Sequence, residues 1–177
     1  MTRLLGAVIA GGQARRFGSD KALASWRGRP LVEHAADALR PFVDALVVCG
    51  RVHAGFVAVP DRPAPDMGPL GGINAALHHA RASGYDAVLT VGCDTPLIPV
   101  ALLGRLRDEA GPAYAASLPV IGRWPAVLAG ELDAFLAEDR KHAVRAWAAE
   151  VGAEAIDCGD IPNVNRPDDL AALNWYE

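Results

Sequence analysis

The sequence predicts an α/β fold with a largely parallel central sheet flanked by helices, as one domain over residues 1–177. Three observations predict it. Short apolar runs alternate with helical patterns from end to end, as strands joined by crossover helices do. The first run, residues 4–10, stops at Gly11-Gly12. The chain's unusual turns, at residues 11–21, Asp61 and Asp94, each follow a predicted strand, the place where such sheets hold ligands.

Residues 4–10 read as a buried first strand, too short to span a membrane. Residues 30–40 read as a helix with Pro30 at its first position and Leu31, Ala35, Ala38 and Leu39 on one face. Strands are expected at 45–49 and 56–59. The proline-rich segment 61–69 is the candidate mobile loop, and a GPLGG turn leads into a helix at 71–83. A third central strand at 87–91 ends on GCDTP. A helix at 100–110, a strand at 113–117, an apolar segment at 125–129 and a helical pair over 131–150 follow. A short strand at 153–157 and a helix from Pro167 close the chain. No internal repeat or flexible linker is visible.

Three widely spaced cysteines, Cys49, Cys93 and Cys158, form no CxxC pair and no zinc spacing, which predicts reduced thiols in a cytoplasmic protein. A formal net charge of −4 argues against nucleic-acid binding. The charge is uneven: residues 1–40 carry seven Lys/Arg against three Asp/Glu, and the rest ten against eighteen. A basic segment on an acidic body suits a small anionic ligand, though a solvated basic face would look the same.

The glycine loop fits neither GxGxxG, since Gln13 follows Gly12, nor a P-loop, since Ser19-Asp20 follows Gly18. Its physics still suits phosphate: two glycines let the backbone turn its N–H groups toward an anion, and Arg15, Arg16 and Lys21 add charge-assisted donors. The alternative is a strand-to-helix turn with surface arginines, the reading favoured for Arg15.

The longer string IAGGQARRFGSDKALASWRGRPLVEHAADAL resembles the signature of the molybdenum cofactor guanylyltransferases, the MobA family. Ile9 stands for the family's leucine, Phe17 for its methionine, and residues 28–31 supply the G-(K/R)-P-L element. GPLGGI (68–73), GCDTPLIP (92–99) and NVNRPDDL (163–170) resemble three further family elements in the same order. The resemblance covers essentially the whole chain. It implies a Rossmann-like domain of the nucleotide-diphospho-sugar transferase type, with a nucleotide-binding part over about residues 1–100 and an acceptor-binding part over about 101–177.

The same resemblance assigns roles. Arg16, Lys21 and Asp94 are the implied catalytic residues, with Asp94 holding Mg2+, the implied cofactor. Ile9, Ala10, Gly11, Gly12, Lys21, Asp61 and Asp94 bind nucleotide, and Asn163 and Asn165 face the acceptor. Each has a plainer reading beside it: Asp94 as a cap before Pro96, Asp61 as a turn former, the asparagines as the entry to the last helix. Cys49 stands where the family has asparagine; a thiol is the poorer hydrogen-bond partner, so that contact is lost or replaced and the cysteine fills core. Arg166 stands where the family has threonine. His78-His79 is not a metal pair, because adjacent residues diverge on a helix.

The implied activity is transfer of GMP from GTP to the terminal phosphate of molybdopterin or Mo-molybdopterin, with release of pyrophosphate. The implied partners are those two substrates and molybdoenzyme apoproteins or cofactor-handling proteins, with no nucleic acid and no membrane. Competing readings are a related transferase using CTP or another phosphorylated acceptor, and a non-catalytic cofactor adaptor, which would need neither Lys21 nor Asp94. A nicotinamide oxidoreductase is disfavoured by the glycine spacing.

Overall fold

The computed structural model describes residues 1–11 and 21–175, Trp175 in its backbone only. Gly12, Arg15 and Arg16 lie outside the described residues.

Strand β1 (Leu4–Ile9) is buried at every position, as expected of a strand covered on both faces of a parallel sheet. It pairs in parallel with β4 (Ala45–Cys49) on one side and with β6 (Ala87–Gly92) on the other. Its side chains alternate between two cores. Leu5, Ala7 and Ile9 join the cluster beneath α2 (Pro69–Ala82), whereas Val8 and Ala10 join that of α1 (Leu31–Leu39) and α3 (Val100–Asp108). Edge strand β5 (Val57–Val59) pairs with β4 in parallel.

With β7 (Ala113–Ala115), β8 (Gly122–Pro125) and β9 (Glu154–Ile156), the seven-stranded sheet has the order β5-β4-β1-β6-β8-β7-β9. The chain runs outward from β1 to β4 and β5, then returns to place β6 on the other side of β1. The topological switch point therefore lies between β1 and β6, which is where open α/β sheets form a ligand crevice.

Strand β8 (Gly122–Pro125) departs from the expected pattern, running antiparallel to both β6 and β7 (Ala113–Ala115). The apolar segment expected at 125–129 is instead the end of this strand and a 3-10 turn at Ala126–Leu128. Arg123 hid the strand. It is buried, and its guanidinium donates to the Ala110 and Gly111 carbonyls, so a charged residue occupies a core register. Gly122 is required there, because a Cβ would stand 2.8 Å from the Trp124 ring and 2.9 Å from the Ala113 oxygen.

A hairpin of β2 (Ser25–Trp26) and β3 (Arg29–Pro30) was also not expected. Arg27 and Gly28 turn it with φ of 49° and 77°, the paired positive values of a tight hairpin turn. Pro30 thus precedes α1 rather than opening it. Helix α2 begins at Pro69, so Gly71 and Gly72 are helical residues and not part of a turn. They permit close packing: a Cβ on Gly72 would stand 3.0 Å from the Ile9 side chain.

The expected helical pair is α4 (Ala129–Ala137) and α5 (Val144–Glu150). Strand β9 (Glu154–Ile156) and α6 (Pro167–Ala172) complete the chain. Among the described residues, no helix is long and apolar enough to cross a membrane.

Candidate active site

The site is assembled at the carboxyl ends of β1 and β6. The backbone ladder runs past the strands there: the Ala10 N–H donates to the Cys49 oxygen at 2.9 Å, and the Cys93 N–H to the Ile9 oxygen at 3.1 Å. Asp94 follows immediately. Gly92 makes room for it, since a Cβ at Gly92 would lie 2.5 Å from Asp94 Oδ1. Thr95, fully buried, donates its hydroxyl to that oxygen at 3.2 Å.

Lys21 re-enters at a 3-10 turn whose next residue, Ala22, is buried in the core. Its Nζ stands 2.8 Å from Asp94 Oδ2 and donates to the Asn165 amide oxygen at 3.1 Å. Residues 73 and 144 positions apart in sequence thus meet at one ammonium group. A cavity of about 510 Å3 opens beside them, lined by Ile9, Ala10, Gly11, Lys21 and Asp94 among others. The loop at Leu118, Pro119 and Val120 and the start of α5 form the facing wall.

Asp61 sits on the other side of Gly11, on a neighbouring cavity of about 420 Å3. A Cβ on Gly11 would come within 2.4 Å of its carboxylate, so glycine is needed at the point of contact; a Cβ on Gly50 (φ 84°) would collide with Gly11 Cα at 2.4 Å. Burial, with the Asp66 charge second, raises the Asp61 carboxyl above the ordinary carboxylate value. Its Oδ1 is buried with no hydrogen-bond partner among the described residues. An orphaned carboxylate oxygen at a cavity wall is costly unless something else satisfies it.

Cys49 is fully buried against Ile9 and Gly72, and burial, with the Asp61 charge second, pushes its thiol up to about 12. It fills core and lines neither cavity. Asn165 lines neither cavity but reaches the site through Lys21. Asn163 is half-buried, one residue before Val164, whose N–H donates to the Asp94 carbonyl at 2.8 Å.

Two site residues had no signature in the sequence. Arg51 lines both cavities and donates Nε to the Ala10 carbonyl at 3.3 Å. Arg145 lines the larger cavity while donating to the Ala116 carbonyl. Each is one arginine among many until the fold places it.

The donor set suits a hard cation that arrives with phosphate. One strand-end carboxylate points at the cavity, and no group of three His, Cys, Asp or Glu able to cage a metal occurs among the described residues. Magnesium is commonly held in this way, by one or two carboxylates with substrate phosphates and water completing its shell.

Residues 6–156 match the MobA-like NTP transferase domain. The molybdenum cofactor guanylyltransferase of Rhodobacter capsulatus is 35% identical over 183 residues, covering 96% of this chain and 94% of its own. The crystal structure of molybdopterin-guanine dinucleotide biosynthesis protein A from Archaeoglobus fulgidus superposes with a TM-score of 0.76 at 20% identity, covering 97% of each chain. A Mycobacterium tuberculosis protein solved in complex with manganese has a TM-score of 0.63 at 19% identity, covering 97% of this chain and 98% of its own. The chain belongs to the MobA-like NTP transferase family, among the molybdenum cofactor guanylyltransferases.

Proposed function

We propose that this site transfers GMP from GTP to the terminal phosphate of molybdopterin, or of its molybdenum form, releasing pyrophosphate. The observation that carries the reading is the Lys21–Asp94 pair, 2.8 Å apart, on a cavity at the β1/β6 switch point. Family membership supplies the substrate class.

The reaction forms a bond from the acceptor phosphate oxygen to the α-phosphorus of GTP. It breaks the bond from that phosphorus to the bridging oxygen, whose electron pair leaves with pyrophosphate. The acceptor phosphate is ionised at neutral pH, so no side-chain nucleophile is needed. The obstacle is repulsion between two anions, which fixed positive groups overcome.

Lys21, whose Nζ stands 2.8 Å from Asp94 Oδ2, would donate to the phosphates, and Arg16, five residues earlier in the sequence, would act with it along the triphosphate. Gly11, with Gly12 beyond it, would bring backbone N–H groups close to phosphate. Asp94 would hold Mg2+, which when bound would supply positive charge to offset that developing on the leaving pyrophosphate. Ile9 and Ala10 would present backbone to the nucleoside. Asp61 would accept a hydrogen bond from the base edge or ribose through its orphaned oxygen. Asn163 and Asn165 would bound the acceptor side.

A thermal-shift panel of GTP, CTP, ATP and UTP, each with and without Mg2+, tests the nucleotide half through mass-action stabilisation. A GTP-selective rise that needs the metal, with label moving from α-labelled GTP to molybdopterin, is the expected result. A CTP preference would change the product, and no rise with any nucleotide would overturn the reading.

A further inference from the structure

The segment that closes on Lys21 is held at both ends. On one side Val164 is fully buried in a small core with Trp26, Leu31 and Leu173, and its N–H donates to the Asp94 carbonyl at 2.8 Å. On the other side the Trp26 indole N–H donates to the Asn174 side chain at 3.1 Å. Between these anchors the chain must turn into α6 while presenting the Asn165 amide to Lys21. One atom governs that turn. Asp169 Oδ2 accepts the Asn165 N–H at 2.7 Å and the Arg166 N–H at 2.8 Å, the donors of the helix N-cap and of the residue just before it. Its neighbour Asp168 is exposed.

We propose that Asp169 is a positioning residue for the transfer reaction: by pinning two consecutive N–H groups it fixes where the Asn165 amide stands, and through it holds Lys21 beside Asp94. The proposal rests on the reading of Lys21 and Asp94 given above. Asp169 touches neither the cavity nor Lys21 through a hydrogen bond. Lysine carries large rotamer freedom, so an amide held in place lowers the ordering cost at the moment the triphosphate arrives.

The chain contains only two lysines, Lys21 and the exposed Lys141, so peptide-resolved acylation by acetic anhydride reads Lys21 against an internal reference and needs no substrate. Asp169→Ala is expected to raise Lys21 labelling relative to Lys141 by roughly threefold. Asp169→Asn removes the charge but keeps an oxygen for both N–H groups, so it stays near wild type. Adding Asp169→Ala to Asn165→Ala produces no further rise. In the transfer assay kcat follows the same order, with the asparagine variant recovering most of what the alanine variant loses.

Labelling that rises equally in the alanine and asparagine variants would assign the effect to charge and overturn the proposal. Unchanged labelling in the alanine variant, or effects of Asp169→Ala and Asn165→Ala that multiply, would also overturn it. Asp169→Glu, which displaces the acceptor by one methylene, gives the same comparison if the alanine variant does not fold. Absence of guanylyl transfer in the wild type would overturn the functional reading and leave the labelling result standing.

Discussion

Two clusters in this molecule are made of nearly the same chemistry. Asp94 is 2.8 Å from the Lys21 ammonium, which also meets the Asn165 amide. Asp133 accepts from the Asn74 amide at 2.8 Å and is 2.8 Å from His78 Nε2. Each joins one carboxylate, one amide and one basic nitrogen, and both are partly exposed. The difference is placement. Asp94 stands two residues past the end of the central strand β6, at the switch point, and lines a cavity. Asp133 lies in the middle of α4 and clamps it to α2, where Asn74 is fully buried. Hydrogen-bonded carboxylates are common building material; a strand that ends beside a cavity makes one of them a candidate reaction site. His78 thereby serves the packing of α2 on α4, through its contact with Asp133.

The largest expected difference between the clusters is in turnover. Asp94→Asn should lower guanylyl transfer by about a thousandfold, with an unchanged far-UV spectrum, while Asp133→Asn should leave the rate per folded molecule near wild type. Equal losses in the two variants would break the comparison.

Lys21→Met should lower kcat by roughly a hundredfold while strengthening Mn2+ binding in the absence of nucleotide, read by the fall in free-ion spin resonance. The two signs would arise if Lys21 both aids phosphate transfer, as proposed, and neutralises Asp94, with which it is paired at 2.8 Å. Weaker Mn2+ binding in the variant would show that the pair does not compete in this way.

Asp133→Ala should cost stability instead, by about 2 kcal/mol in urea unfolding, because a buried Asn74 donor loses its acceptor. Burial alone would raise the Asp133 carboxyl, but hydrogen bonds from Asn74 and His78, with the charges of His78 and Arg62, hold it below the ordinary value. A depressed folded pKa gives a contribution that is full above the unfolded value of about 3.9 and is lost as pH falls through the folded one. Wild-type stability should therefore fall more steeply than that of Asp133→Asn below about pH 4.

The smallest effect belongs to Asp61, a carboxylate of a third kind, half-buried, with one oxygen that has no hydrogen-bond partner among the described residues. Its raised pKa has the opposite sign: stability is lost as pH rises from the unfolded value through the folded one. Asp61→Asn should raise the melting midpoint at pH 7 slightly and weaken GTP-induced stabilisation. A lower midpoint would mean that the charge is satisfied in the folded protein.

Much of this was legible in the sequence because it depends on local rules. An unbroken apolar run specifies a doubly covered strand such as β1, and paired glycines specify a turn where backbone must approach closely. The residue strings around Lys21, Asp94 and Asn165 carried the family. Elements that break those rules were not legible. Strand β8 contains Arg123, whose burial is tolerable only because two distant carbonyls receive it. The β2–β3 hairpin is two residues a side, too short for periodicity to register.

By itself, then, the sequence determined the class of fold and the family, since each rests on residue type and short spacing. Only the tertiary structure decided which carboxylate lines a cavity and which clamps two helices, that Arg51 and Arg145 line the cavity, that Cys49 is core, and that Asp169 reaches back over the turn that carries Asn165. Those outcomes depend on which strand ends where and on what lies across the crevice, and the packing of the whole chain determines both.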